Sequence, residues 1–240
     1  VPGAFFQHAE DLVLYIDMPF AAQCFYWAAK WDTKFSEPII KCNDTILNSG
    51  LIREDGSTFH AVEFNPKTGD PIKLLTRQGK SDNSTWTRGQ AWGIHNFTNA
   101  YEATRENKYL EAALKLTEWY INKIPQDFVP FYDFDDPDID EIPRDSCSAV
   151  IVTNALVRLI RIRPDLKNSY QNIVQGTLEE IFQNYLSIGG ILLHGSWGRV
   201  RKSWNIGGFP QQDIMPYGNN WVVEVLYRLL NSDWKIYKTI

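Results

Sequence analysis

Asp17 is a single carboxylate between the apolar runs Leu12-Val-Leu-Tyr-Ile16 and Met18-Pro-Phe-Ala-Ala22. A carboxyl in that setting has two uses. As a helix N-cap it accepts a backbone amide and stays acidic, because the helix dipole favours its charged form. Held protonated by desolvation or by a second carboxylate, it becomes a general acid near neutral pH. In Trp86-Thr-Arg-Gly-Gln-Ala-Trp92, positions 88 and 92 fall one helical turn apart and share a face. A pocket for an anionic sugar has a use for that pair: the guanidinium forks a carboxylate while the indoles of Trp86 and Trp92 stack on pyranose C–H faces. A core tryptophan with a snorkelling Arg88 is the alternative. His60, beside Phe59, reads on its own more as a hydrogen-bonded structural histidine than as a ligand contact, and Gln78, in Arg77-Gln-Gly-Lys-Ser81, leaves the same two readings open.

Helical periodicity dominates the segments that must position these groups. It predicts helices over 18–31, 36–48, 84–106, 108–124, 146–163, 166–187 and 219–230. Asp17, Ser36 and Asp145 or Ser146 stand as caps, and Gly50 as a stop. A period of two over 58–64 and 71–75, around the turn Asn65-Pro-Lys-Thr-Gly69, predicts a β-hairpin. The helices pair, and the first of each pair recurs about every 60 to 70 residues, which suggests stacked αα-hairpins. Each first helix is preceded by a polar-aromatic string. If those helices ring an axis, the strings gather at one end and make a pocket. Helices such as 146–156 are small and apolar nearly all round, as inner helices must be, whereas 108–119 is amphipathic and belongs outside. The polar connections 125–145 and 194–217 are long enough to carry function.

Composition narrows the choice. A net charge of −5 and a pI near 5.4 argue against a nucleic-acid surface, and no apolar run is long enough to span a bilayer. Cys24, Cys42 and Cys147 lack metal-ligand spacing and read as free thiols. The carboxylates of Phe131-Tyr-Asp-Phe-Asp-Asp136 lack the Asp-x-Asp-x-Asp-Gly loop of a calcium site, so no metal site is expected. Without a P-loop, GxGxxG, HExxH or GxSxG motif, no cofactor is expected either. The 14% aromatic content, with nine tryptophans, suits either core or sugar platforms.

Asp55-Gly-Ser-Thr-Phe-His60, Gln78-Gly79, Ser81-Asp82, Trp86-Thr-Arg-Gly-Gln-Ala-Trp92, Tyr132-Asp-Phe134, Pro143-Arg-Asp-Ser146 and Leu193-His-Gly195 occur in that order. In this the sequence resembles the unsaturated glucuronyl hydrolases, glycoside hydrolase family 88. The resemblance implies an all-α (α/α)6 toroid. It implies an enzyme that removes 4,5-unsaturated uronic acid from lyase-generated oligosaccharides by hydrating the C4–C5 double bond. It implies Asp17 as acid/base, and His60, Gln78, Trp86, Arg88 and Trp92 as substrate contacts, with an unsaturated uronate oligosaccharide as partner. A degenerate uronate-binding protein and an unsaturated rhamnogalacturonyl hydrolase are the alternative readings. The family's second aspartate, in a His-Asp-x-Gly-Phe segment, has no counterpart here; His8-Ala-Glu-Asp11 does not match it. About seven helices are read where the toroid needs twelve. Residues 1–240 are therefore expected to form a single toroid domain that is the C-terminal two-thirds of such an enzyme and turns over weakly alone.

Overall fold

The computed structural model of the protein describes residues 12–139, 142–196, 212–213 and 215–231. His8–Asp11 and most of the 194–217 connection lie outside them. Seven α-helices occur among the described residues: α1 (Ala22–Ala28), α2 (Glu37–Asn48), α3 (Thr87–Thr104), α4 (Asn107–Lys123), α5 (Ser146–Ile162), α6 (Lys167–Glu180) and α7 (Pro216–Leu230). Helices α1, α3, α5 and α7 pack in succession side by side, α4 backs α3, and α6 backs α5. The expected inner and outer roles follow. Arg88 to Ala100 of α3 and Ser146 to Leu159 of α5 are buried throughout, whereas α4 and α6 bury one face. The helix expected over 18–31 is two pieces, a 3₁₀ turn at Met18–Ala21 and then α1. The one expected over 166–187 ends in a π turn at Ile181–Tyr185.

The hairpin has a third strand. β1 (Leu12–Tyr15), β2 (Ala61–Phe64) and β3 (Pro71–Leu75) form an antiparallel sheet in that order, with Tyr15 opposite Ala61 and Ala61 opposite Leu75. This register fixes the site. The residues just after β1, just before β2 and just after β3 all leave the sheet at one edge, and they are Asp17, His60 and Gln78. The amide of Ile16 donates to the His60 carbonyl (2.9 Å), and Asn96 Nδ2 of α3 donates to the Ile16 carbonyl (3.0 Å). The sheet edge is thereby tied to an inner helix. A two-residue ribbon, β4 (Gly195–Ser196) with β5 (Gln212–Asp213), lies beside α5.

Gly89 shows why the tryptophan-rich start of α3 needs a glycine. A Cβ there would sit 2.8 Å from Trp86 Cε3 and 3.2 Å from Ile16 Cγ2, both buried. Gly89→Ala is expected to cost about 1–3 kcal/mol by overpacking, checked by chemical denaturation.

Candidate active site

Asp17, His60 and Gln78 meet on the wall of a cavity of about 330 Å³, together with Tyr15, Met18, Phe20 and Arg77. That volume is at the lower end of the small-ligand range of about 300–1,000 Å³. It suits one sugar ring better than a chain.

Asp17 occupies the N-cap position of the 3₁₀ turn but makes no side-chain cap bond. Its carboxyl is therefore not consumed by the helix start. Burial pushes its pKa above the ordinary aspartate value, against the opposing pull of its own backbone hydrogen bond and of the Arg88 charge. The family's second carboxylate is not needed to explain this direction; desolvation is the largest cause.

His60 is buried, and its Nδ1 accepts from the amides of Arg77 (3.1 Å) and Gln78 (3.4 Å), with Thr76 Oγ1 at 3.2 Å. An acceptor at Nδ1 fixes the proton on Nε2. Burial first, then the Arg88 and Arg77 charges, holds its pKa down to about 3, so the ring is neutral and a donor through Nε2. A group whose folded pKa is depressed contributes stability above the unfolded value near 6.5 and loses it as pH falls below that. His95, fully buried and also held well below its ordinary value, adds to the same window. Stability is expected to fall between pH 6 and 5 by about 1.4 kcal/mol per unit per histidine, and His60→Gln to remove one such share. Denaturation midpoints across that range check it.

Trp86, Arg88 and Trp92 stand one layer behind the wall. Trp86 packs its ring 4.5 Å from His60, with the Arg88 guanidinium 4.9 Å from its own centroid. Trp92 meets Phe20 at 5.9 Å and Trp221 at 5.8 Å, so it supports a wall residue. Arg88 does not present the expected free fork. Its Nη1 donates to Asp145 Oδ2 (2.9 Å) and to the Ser196 carbonyl, and its Nη2 reaches Gln78 Oε1 at 3.4 Å. Asp145 also caps α5 by accepting from the Ser148 amide (3.2 Å). Burial raises the Asp145 carboxyl, while Arg88 and the amides of Ser148, Ser196 and Cys147 pull it down.

The loop that carries Gln78 is held by the acidic run at 133–136. Asp133 Oδ2 accepts from the Lys80 amide (2.8 Å) and Ser84 Oγ (2.8 Å), Asp135 from the Thr85 amide (2.7 Å), and Asp136 pairs with Lys80 (3.5 Å). Those carboxylates serve as acceptors for one loop. Sequence reasoning missed Tyr15, Met18, Phe20 and Arg77 as wall residues; the neighbours of Asp17 and Gln78 in the chain were the available signal.

No family model matches the chain. It is 31% identical over 239 residues to the unsaturated chondroitin disaccharide hydrolase of Streptococcus pyogenes serotype M1, covering 95% of this chain and 58% of that protein. It is 43% identical over 109 residues to the unsaturated glucuronyl hydrolase of Formosa agariphila, 45% of this chain and 27% of that one. A solved unsaturated glucuronyl hydrolase specific for heparin superposes with a TM-score of 0.84 at 25% identity, over 98% of this chain and 64% of that chain. The chain belongs to the unsaturated glucuronyl hydrolase family. Its helical hairpins are part of the α/α toroid of those enzymes. The chain spans about half the length of the curated chondroitin disaccharide hydrolases that it matches. Among the described residues, no helix is long and apolar enough to cross a membrane.

Proposed function

We propose that the protein removes a 4,5-unsaturated uronic acid from the non-reducing end of lyase-generated glycosaminoglycan oligosaccharides by hydrating the C4–C5 double bond. The observation that carries this reading is the Asp17 carboxyl, on a sugar-sized cavity and driven toward its neutral form by burial. Relatives named for a chondroitin disaccharide and for heparin support the substrate class.

In this reading Asp17 gives its proton to C4 of the enol ether, and positive charge develops at C5 and spreads onto the ring oxygen. The carboxylate left behind takes a proton from water as the water oxygen bonds to C5. The C5 hemiketal then opens by cleavage of the C5–ring-oxygen bond, leaving a ketone at C5 and a hemiacetal at C1. That hemiacetal expels the next sugar, and the net addition is one water. His60 Nε2–H and the Gln78 amide are proposed to donate to the uronate, with Trp86, Arg88 and Trp92 acting from behind them.

The ultraviolet absorbance of the conjugated unsaturated carboxylate tests the reading. Mixing the protein with an unsaturated chondroitin disaccharide is expected to bleach it and to release the second sugar. Binding without bleaching overturns the proposed reaction.

A further inference from the structure

We propose that Asp145 is a positioning residue of the cavity: it holds the Arg88 guanidinium, and Arg88 in turn holds the Gln78 amide with its nitrogen toward the ligand. For the choice of ligand this rests on the function proposed above; the geometry stands apart from it.

Asp145 serves the helix start and Arg88 through different oxygens. Oδ1 accepts from the Ser148 amide, three residues away, and Oδ2 is left to reach Arg88, 57 residues away. Both side chains are buried almost completely, Asp145 at 0% and Arg88 at 2% exposure. An ion pair so enclosed keeps its geometry, because either partner moving would leave the other charge without a counter-ion. Asp145 and the Ser196 carbonyl take the two protons of Arg88 Nη1, which fixes the plane of the guanidinium. Nη2 is then directed at Gln78 Oε1.

The consequence falls on Gln78. An amide has one acceptor end and one donor end, and a guanidinium has only donors. With its oxygen facing Arg88, Gln78 turns its NH₂ away from the pair and toward the cavity that it lines. The backbone amide of the same residue donates to His60 Nδ1, which fixes the histidine proton on Nε2. Two neighbouring wall groups thus present N–H, a surface matched to a carboxylate or to sugar oxygens.

A thermodynamic cycle separates positioning from mere support of the fold. In an Asp17→Asn parent, chosen to slow turnover, the dissociation constant of the methyl glycoside of 4,5-unsaturated glucuronate is measured by calorimetry. Asp145→Asn keeps a capping oxygen but loses the charge that faces Arg88. It is expected to weaken binding about tenfold when Gln78 is present, and less than about twofold in a Gln78→Ala background. Equal factors in both backgrounds overturn the proposal. If Asp145→Asn does not fold, the Arg88→Met/Asp145→Ser pair, which removes both charges and keeps a hydroxyl cap, replaces it with the same expectation. Side-chain amide NMR of Gln78 gives a second readout that needs no ligand. The two protons are expected to exchange slowly with solvent when Asp145 is present, and to move toward the shifts of a solvated glutamine and exchange faster without it, whereas an unchanged spectrum and exchange rate overturn the relay. Absence of binding by the parent counts against the proposed function, and the NMR result alone then decides the relay.

Discussion

Replacing Asp17 by Asn is expected to slow double-bond hydration by about 10²–10⁴-fold and, at neutral pH, to raise the melting temperature of the protein. The first effect is the range lost when a positioned general acid is removed. The second follows from linkage. Burial raises the folded pKa of Asp17 above its unfolded value, so between those two values the folded state binds more protons than the unfolded one. Stability from this group is present below the unfolded pKa and declines as pH rises through the folded pKa. An asparagine carries no such penalty. The variant is therefore expected to match the parent at low pH and exceed it at neutral pH, as happens when a destabilised active-site group is relaxed. Steady-state bleaching and thermal melts at several pH values check both halves. A variant less stable than the parent at neutral pH would point instead to a structural carboxylate.

Arg88→Met is expected to cost about 3–5 kcal/mol of folding stability, the range for removing one partner of a buried ion pair. For a protein of this size the melting temperature should fall on the order of 10 °C. The loss comes from Asp145, which at 0% exposure would keep a carboxyl with no counter-ion. Arg88 also pulls the Asp17 and Asp145 carboxyls down, so both should titrate higher in the variant. The deficit should consequently be smallest at acid pH and grow as pH rises through the carboxylate range. Adding Asp145→Ser should recover most of the loss, because the hydroxyl still caps α5 and no unpaired charge remains. Denaturant unfolding of the parent, the single variant and the double variant measures each step.

Much of this arrangement was legible in the chain because it is local. The inner character of α3 and α5, the amphipathic α4 and the Asp145 cap all follow from spacing within one element, whereas Ser36 stands at the start of α2 but turns its hydroxyl back to the Thr33 carbonyl instead of capping. Asp17 stood out for the apolar company it keeps. What escaped was set by contacts between distant segments. Leu12–Tyr15 is too short and too uniformly apolar to alternate, so its pairing with β2 was invisible, and with it the sheet edge that gathers Asp17, His60 and Gln78. Likewise nothing within Trp86-Thr-Arg-Gly-Gln-Ala-Trp92 could reveal that Arg88 is engaged by a carboxylate 57 residues away. The motif identified the right neighbourhood but not the direction of the guanidinium. The acidic run at 133–136 was ambiguous for the same reason, since its acceptors are filled by the amides of a loop some 50 residues earlier.

Burial holds the carboxyl at position 17 protonated beyond the usual aspartate range in the folded protein. A carbon-13 NMR titration of the side-chain carboxyls, with Asp17→Asn used to assign the resonance, tests it most directly. The Asp17 midpoint is expected to lie clearly above that of an ordinary aspartate. A midpoint at or below it, as a helix-capping carboxylate would give, contradicts the assignment of Asp17 as the proton donor.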